Sequence, residues 1–214
     1  MDTVKTITDR LIAGQDDQVA QLTRQGLEEG LAPLEILNQG LIPGMDEVGQ
    51  RFKSGEMYVP DVLIAARAMR SGMDVLRPLL AQSDVPSLGT VILGTIQGDL
   101  HDIGKNLVGI MMEGAGFEVI DLGVDVSPEQ FVQAAREHQA RIIGMSALLT
   151  VTMMGMKRVL EDLQSEGLRS SIVALVGGAP VTRSFAQEIG ADGYAHDAVS
   201  AVETARELLD RAGA

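Results

Sequence analysis

Thr90-Val91-Ile92-Leu93-Gly94-Thr95-Ile96, followed by Gln97-Gly98-Asp99-Leu100-His101-Asp102-Ile103-Gly104-Lys105-Asn106, is the stretch on which the fold turns. A short apolar run ends in a glycine-bearing polar loop that opens a helix, which reads as a buried parallel strand feeding a βα turn. The pattern recurs downstream. Apolar runs at residues 118–122, 142–146, 172–176 and 193–195 alternate with helical segments, and that alternation is βαβ periodicity. Five such strands predict an open, doubly wound parallel sheet, most economically in the flavodoxin-like order 2-1-3-4-5. Ligands of such sheets bind beyond the carboxyl ends of the strands, at the switch point between strands 1 and 3. The loops after Ile96, Ser146 and Val176 are therefore where chemistry is sought.

Upstream the signals are helical. Apolar residues recur at spacings of three and four, as in Leu34, Leu37 and Leu41, then Met45, Val48 and Phe52, and no strand pattern intervenes. Breaks fall near Gly14, at 30–33 and at 54–55, and Pro33 and Pro60 sit where a first helical turn tolerates proline. The spacing predicts helices over 2–12, 16–29, 33–53 and 60–82, joined by short links into a small antiparallel bundle. Residues 83–89 hold turn formers and little else, so the domain linker is placed there. The expected organisation is α/β: a four-helix bundle cap at 1–84, then a Rossmann-like five-stranded parallel sheet domain at 89–214.

Composition narrows the function. Seventeen Lys and Arg against thirty Asp and Glu give a net charge of −13 in 214 residues. A surface that acidic repels phosphate backbones and anionic membranes, so neither nucleic acid nor membrane is expected as a partner. The absence of cysteine excludes disulfides, thiolate zinc sites, iron–sulfur clusters and cysteine nucleophiles. No apolar run approaches the roughly 20 residues that span a bilayer, and Met1-Asp2-Thr3-Val4-Lys5 lacks the regions of a signal peptide, so a cytoplasmic protein is expected. With four Phe, two Tyr and no Trp, the cores must be built from Leu, Ile, Val, Ala and Met.

The loop after strand 1 invites a phosphate-binding reading, which fails. Position 103 is Ile where a P-loop needs glycine, and Asn106 stands where Ser or Thr would hold magnesium; no G-x-G-x-x-G follows any strand either. What remains is His101 with carboxylates on either side, Asp99 and Asp102. A carboxylate that accepts the proton of one ring nitrogen fixes the tautomer and leaves the other nitrogen as a directed donor, as in a metal-ligating or general-base histidine. Gly98 and Gly104 leave room for a large planar ligand against the backbone. The other candidates read as ordinary structure. His138 ends a helix on a solvated face, and His196 follows strand 5, where it could graze a ligand's tail. Met153, Met154 and Met156 read as adaptable core, as do Met45, Met69 and Met73 in the bundle. Glu28-Glu29 and Asp16-Asp17 read as solvated helix ends, and Asp125, after strand 2, has no partner histidine and is assigned no role.

Asp99-x-His101-x-x-Gly104, then Ser146-Ala147-Leu148 after strand 3 and Gly177-Gly178 after strand 4, resembles the cobalamin-binding module of the corrinoid methyl-transfer proteins, methionine synthase among them. The N-terminal half is similar as well: Ile42-Pro43-Gly44-Met45-Asp46-Glu47-Val48-Gly49 to Phe52, then Gly55-Glu56-Met57-Tyr58-Val59-Pro60, matches the helical cap that precedes that module. The resemblance covers nearly the whole chain. It implies cobalamin or a related corrinoid bound base-off and histidine-on, with His101 the lower axial ligand of cobalt and Asp99 its hydrogen-bonded partner. It further implies a proton relay from Asp99 to the hydroxyl of Thr152. The histidine loop, from Gly98 and Asp99 through Leu100, Asp102 and Ile103 to Gly104, would lie against the cofactor. Ser146 and Thr150 would bind the displaced nucleotide tail, Leu148 would line it, Gly177, Gly178 and Ala179 would let it pass, and Ala198 would close the far end. In the cap, Phe52 and Val59 would shield the upper cobalt face, Val59 being smaller than the leucine common in relatives, and Met57, otherwise read as bundle core, could touch the corrin.

The function that the resemblance implies is methyl transport. Cobalt would carry a methyl group, as methylcobalamin, from a substrate-specific methyltransferase to a second methyltransferase with a thiol or pterin acceptor. A reductive activase would keep the cobalt competent. The chain would be a carrier subunit in one-carbon metabolism with no complete active site of its own. A cobalamin-dependent sensor shares the cap and sheet but needs an output module, for which the roughly 30 residues before the cap motif are too few and too acidic. The cobalamin subunit of a radical mutase has the histidine loop but usually lacks the cap, and a storage protein would have no use for a shielded upper face.

Overall fold

The computed structural model describes residues 3–80 and 88–212. The chain forms two compact units, one of helices and one built on a sheet. In the first, helices α1 (Thr3–Ile12), α2 (Asp16–Glu28), α3 (Pro33–Ile36), α4 (Ile42–Ser54) and α5 (Val59–Leu80) follow in order. Ile7, Leu11, Val19, Ile36, Leu41, Met45, Val48, Val62, Met69 and Leu76 are buried between them. Pro33 opens α3 and Pro60 lies in the first turn of α5, as their spacing anticipates. The single helix expected over 33–53 is instead interrupted by a π-helical turn at Leu37–Leu41. Pro43 has no N–H to give the carbonyl four residues back. The Ile42 N–H reaches five residues back to the Leu37 carbonyl, so the register slips by one residue ahead of the proline. The linker expected at 83–89 and the boundary at 84 fall, through residue 87, outside the described residues.

The second unit runs β1 (Thr90–Thr95), α6 (Ile103–Gly114), β2 (Glu118–Asp121), α7 (Pro128–Glu137), β3 (Ile142–Ser146), α8 (Met154–Ser165), β4 (Val173–Gly177), α9 (Arg183–Ile189), β5 (Gly193–Ala195) and α10 (Ala198–Ala212). The five strands are parallel in the order β2-β1-β3-β4-β5. One face of the sheet carries Ile92, Ile96, Ile143, Met145 and Val176 into a core shared with Phe131 of α7 and with Met156, Val159 and Leu163 of α8. Gly94 is the seat of Phe131: a Cβ built on it would lie 2.6 Å from the ring's Cζ. Alternation along the strands sends the next residues to the opposite face. There Leu93, Gly144, Leu175 and Gly193 stand side by side in register, large against small.

Two residues further on, Thr95 pairs with Ser146, Ser146 with Gly177 and Gly177 with Ala195. The carboxyl ends of four strands thus finish in a row of small residues, and the loops bearing the three signature motifs leave the sheet as neighbours. Among the described residues no helix is long and apolar enough to cross a membrane. Phe131 is fully buried, so Phe131→Ala should destabilise the sheet unit by about 3–5 kcal/mol. Urea unfolding checks this, and a loss under ~1 kcal/mol would contradict the packing described.

Candidate functional site

The histidine loop begins with Gly98 at φ +85, a left-handed conformation that glycine adopts without strain. The chain then turns so that the Asp99 side chain points inward, where it is wholly buried. Its Oδ1 lies 2.7 Å from His101 Nδ1 and accepts the His101 backbone N–H at 3.1 Å. Its Oδ2 accepts the backbone N–H groups of Leu148 and Leu149 at 2.6 and 3.0 Å, and the Thr152 hydroxyl stands 3.3 Å away. Burial alone would push the Asp99 carboxyl up. The hydrogen bonds from the His101 ring and the three amides outweigh it and hold the group well below the usual carboxylate range. From the other side, the buried Thr95 hydroxyl donates to the His101 carbonyl at 2.9 Å.

An ionised carboxylate only accepts, so Nδ1 carries a ring proton, and in the neutral ring the lone pair is at Nε2. The His101 side chain is 54% exposed. Its neighbours Leu100 and Ile103 are 71% and 82% exposed, and Leu148 and Leu149 across the switch point are also exposed. A Cβ on Gly104 would meet nothing within 4 Å. The arrangement is a basic nitrogen, held in one tautomer, amid apolar side chains that water solvates poorly.

Asp102 does not join it. Its Oδ2 accepts from the Asn106 side chain at 3.0 Å and its carbonyl accepts the Asn106 amide at 2.8 Å, so Asp102 serves the entrance to α6 and Asp99 alone orients the histidine. Thr152 is within reach of Asp99, but its hydroxyl lies nearer the Leu149 carbonyl, at 2.8 Å. Ser146 ends β3 half-buried, while Thr150 and Ala179 are exposed on the next two loops. Gly177 and Gly178 have a structural reason of their own. A Cβ on Gly177 would lie 2.9 Å from the Ala195 carbonyl oxygen, and one on Gly178, at φ +124, only 1.9 Å from that of Ala147. These glycines let adjacent strand ends close on each other. Ala198 is buried at the start of α10.

In the helical unit, Phe52 lies in the last turn of α4, Met57 in the following loop and Val59 at the start of α5. Tyr58 caps α5, its N–H donating to Asp61 at 2.8 Å. His138 ends α7, and His196 pairs with Asp197 at 2.9 Å. Met153 and Met156 are core, but Met154 is exposed, because it is the first residue of α8 and faces away from the sheet.

Two features escaped the sequence reading. Asp125, given no role there, accepts the Gly98 N–H at 2.7 Å. Lys105 is buried and paired with Asp121 at the end of β2. The expected strand order already set the end of strand 2 beside strand 1, and that was the available signal for both.

A B12-binding domain model matches residues 89–203 and a second B12-binding domain model matches 3–77. The chain belongs to the B12-binding family of corrinoid proteins. It is 45% identical over 204 residues to a corrinoid protein of Desulfitobacterium hafniense, covering 94% of each chain. It is 44% identical to the dimethylamine corrinoid protein of Methanosarcina barkeri, over 96% of this chain and 97% of that one. Among solved structures, the methanol:cobalamin methyltransferase complex of Methanosarcina barkeri holds a chain that superimposes with a TM-score of 0.87 at 28% identity, covering 98% of this chain and 80% of that one.

The residues of this corrinoid protein suit the cofactor: one imidazole nitrogen free to ligate, an apolar rim, open space at Gly104 and a row of small side chains at the strand ends. Because Asp99 titrates low in the fold, its contribution to stability is complete above its ordinary value of 3.8 and is lost as pH falls below it. Asp99→Asn turns one acceptor into a donor facing amide donors and should cost on the order of 1–3 kcal/mol near neutral pH. The difference between the two proteins should shrink as unfolding is measured at progressively lower pH below about 4. A difference independent of pH would mean that Asp99 is not ionised in the fold.

Proposed function

We propose that this corrinoid protein carries a methyl group between a substrate-specific methyltransferase and a second methyltransferase with a thiol or pterin acceptor, on a corrinoid bound base-off and histidine-on. The observation that carries this reading is the Asp99–His101 pair, which presents an oriented, half-exposed imidazole nitrogen at the switch point of the sheet. When bound, the corrinoid supplies a cobalt centre able to take up and give away a methyl group. His101 Nε2 would hold that cobalt. Asp99 holds the ring's tautomer and orientation and keeps a proton at Nδ1. Thr152 can turn its hydroxyl from the Leu149 carbonyl to Asp99, and so completes the relay.

The displaced tail is assigned to the row of small residues at the strand ends: Ser146 and Thr150 bind it, Leu148 lines it, Gly177, Gly178 and Ala179 leave it passage, and Ala198 closes it. In the helical unit, Phe52 and Val59 would shield the cobalt, and Met57 could touch the corrin. The relatives are named for dimethylamine and, in one complex, for a methanol:cobalamin methyltransferase. These names support a methylamine or methanol as the methyl source. Thiol activation by zinc thiolate is beyond a chain without cysteine, so the acceptor is activated on the second methyltransferase, and a reductive activase restores oxidised cobalt. The match of residues 3–77 to a B12-binding model favours the carrier over a mutase subunit, which usually lacks this cap.

Two measurements test the reading. In the cobalt(II) form of the reconstituted protein, nitrogen labelling of histidine should change the EPR superhyperfine splitting, and the change should vanish in His101→Ala. A splitting indifferent to the label would remove His101 from the cobalt. Asp99→Asn should slow methyl transfer on the order of 10- to 100-fold and shift the cobalt reduction midpoint; an unaltered rate and midpoint would refute the relay.

A further inference from the structure

The loop between β2 and α7 is stitched to the histidine loop along its whole length. The Thr95 N–H donates to the Gly123 carbonyl at 3.0 Å, and the Val126 N–H donates to the Thr95 carbonyl at 3.0 Å. A parallel bridge joins Ile96 to Val126. Two further bonds then pass through one residue: the Asp125 carboxylate accepts the Gly98 N–H at 2.7 Å, and the Asp125 N–H donates to the Asp99 carbonyl at 3.1 Å. At the far end of the histidine loop, Lys105 Nζ is paired with Asp121 and donates to Asn106 Oδ1 at 2.7 Å. Asp121 Oδ1 in turn accepts the Gly123 N–H at 2.8 Å. His101 therefore lies on a span held on either side by two carboxylates, Asp121 at the end of β2 and Asp125 in the loop that follows it.

The Asp125 backbone is unusual. Glycines aside, only Asp125 and Gln139 have positive φ among the described residues, at +56 and +49. Gln139 follows the end of α7, where helices commonly finish in that conformation. Asp125 follows no helix. Holding a non-glycine residue there costs on the order of 1–3 kcal/mol unless the surroundings over-determine it, and glycine would avoid that cost. What aspartate adds is an acceptor for Gly98, itself in the left-handed region. The two bonds grip the N–H before and the C=O after the Gly98–Asp99 peptide link, and those groups set the direction in which the Asp99 side chain leaves the backbone.

We infer that Asp125 is a positioning residue for the axial histidine, acting through the Gly98–Asp99 backbone to keep the Asp99 carboxylate aimed between the His101 ring and the amides of Leu148 and Leu149. Sites of this kind need their groups held within about 10–20°, and Asp99 has five donors to meet at once. Asp125 touches neither His101 nor Asp99's side chain. Its effect on the ligand is indirect, and the inference rests on the proposed role of His101.

Asp125→Gly tests it cleanly, because glycine fits the positive φ and removes only the carboxylate, so the full-length protein should fold as well as before or better. Asp125→Asn keeps both an oxygen acceptor and tolerance of that conformation. In the cofactor-free protein, exchange of the Gly98 amide should rise about tenfold in Asp125→Gly and stay near the parent rate in Asp125→Asn. After reconstitution as cobalt(II), the ratio of histidine-ligated to histidine-free signal should fall about tenfold in Asp125→Gly, the lower end of losses from groups that orient a ligand, and recover in Asp125→Asn. Unchanged Gly98 exchange together with an unchanged ratio in Asp125→Gly overturns the inference. So does an equal loss in both variants, since the acceptor would then not be what matters. If the parent protein itself shows no histidine splitting, the assignment of His101 fails, and Gly98 exchange alone judges the clamp.

Discussion

The Asp99 carboxylate is the constraint on which the site depends. It is wholly buried, and burial of a bare charge is costly. Donors from two loops balance that cost: the ring and amide of His101 on its own loop, and the amides of Leu148 and Leu149 after β3. The same bonds that keep the group ionised fix where those loops stand. A side chain that satisfied only the histidine would leave the β3 loop free; one that satisfied only the amides would leave the histidine free.

The sheet makes this arrangement possible. With β1 and β3 adjacent and in register to their last residues, the loops after Thr95 and Ser146 begin as neighbours, and their helices, α6 and α8, leave on opposite faces. A short acidic side chain can then bridge them. The glycines after β4 extend the same logic. The Gly177–Gly178 turn approaches Ala147 and Ala195 so closely that the strand ends form a continuous shelf, and the smallness of its residues gives the shelf its depth.

Much of this was legible in the sequence, for physical reasons. The strands are short apolar runs between helical segments, so their positions and order followed from periodicity and from the economy of βαβ connection. His101 and Asp99 stood out because a spacing of two lets a carboxylate reach the imidazole. What escaped depended on backbone partners. The π turn at Leu37–Leu41 arises from a hydrogen bond that Pro43 cannot make, invisible to apolar spacing that remains helical. Asp102, equal to Asp99 in the sequence, is drawn instead to Asn106 one turn along α6. Asp125 bonds to a main-chain N–H, and main-chain partners leave no trace in side-chain patterns. At Gly178 the close Ala147 carbonyl excludes a side chain, another main-chain constraint that the sequence pattern does not carry.

Saturation of Asp99 by amides also limits how a proton can move through the site. The bonds from His101, Leu148 and Leu149 to its two oxygens are at 2.6 to 3.1 Å, and amide protons do not leave at neutral pH. Among the described residues the rotatable donor in reach is the Thr152 hydroxyl, at 3.3 Å from Asp99 and 2.8 Å from the Leu149 carbonyl. It has one proton and two acceptors. On the buried side of the ring, the groups that can adjust are the shared Nδ1 proton and the Thr152 hydroxyl, while the loops stay where the amides hold them. In that division the hydroxyl can turn while the backbone of both loops keeps its place.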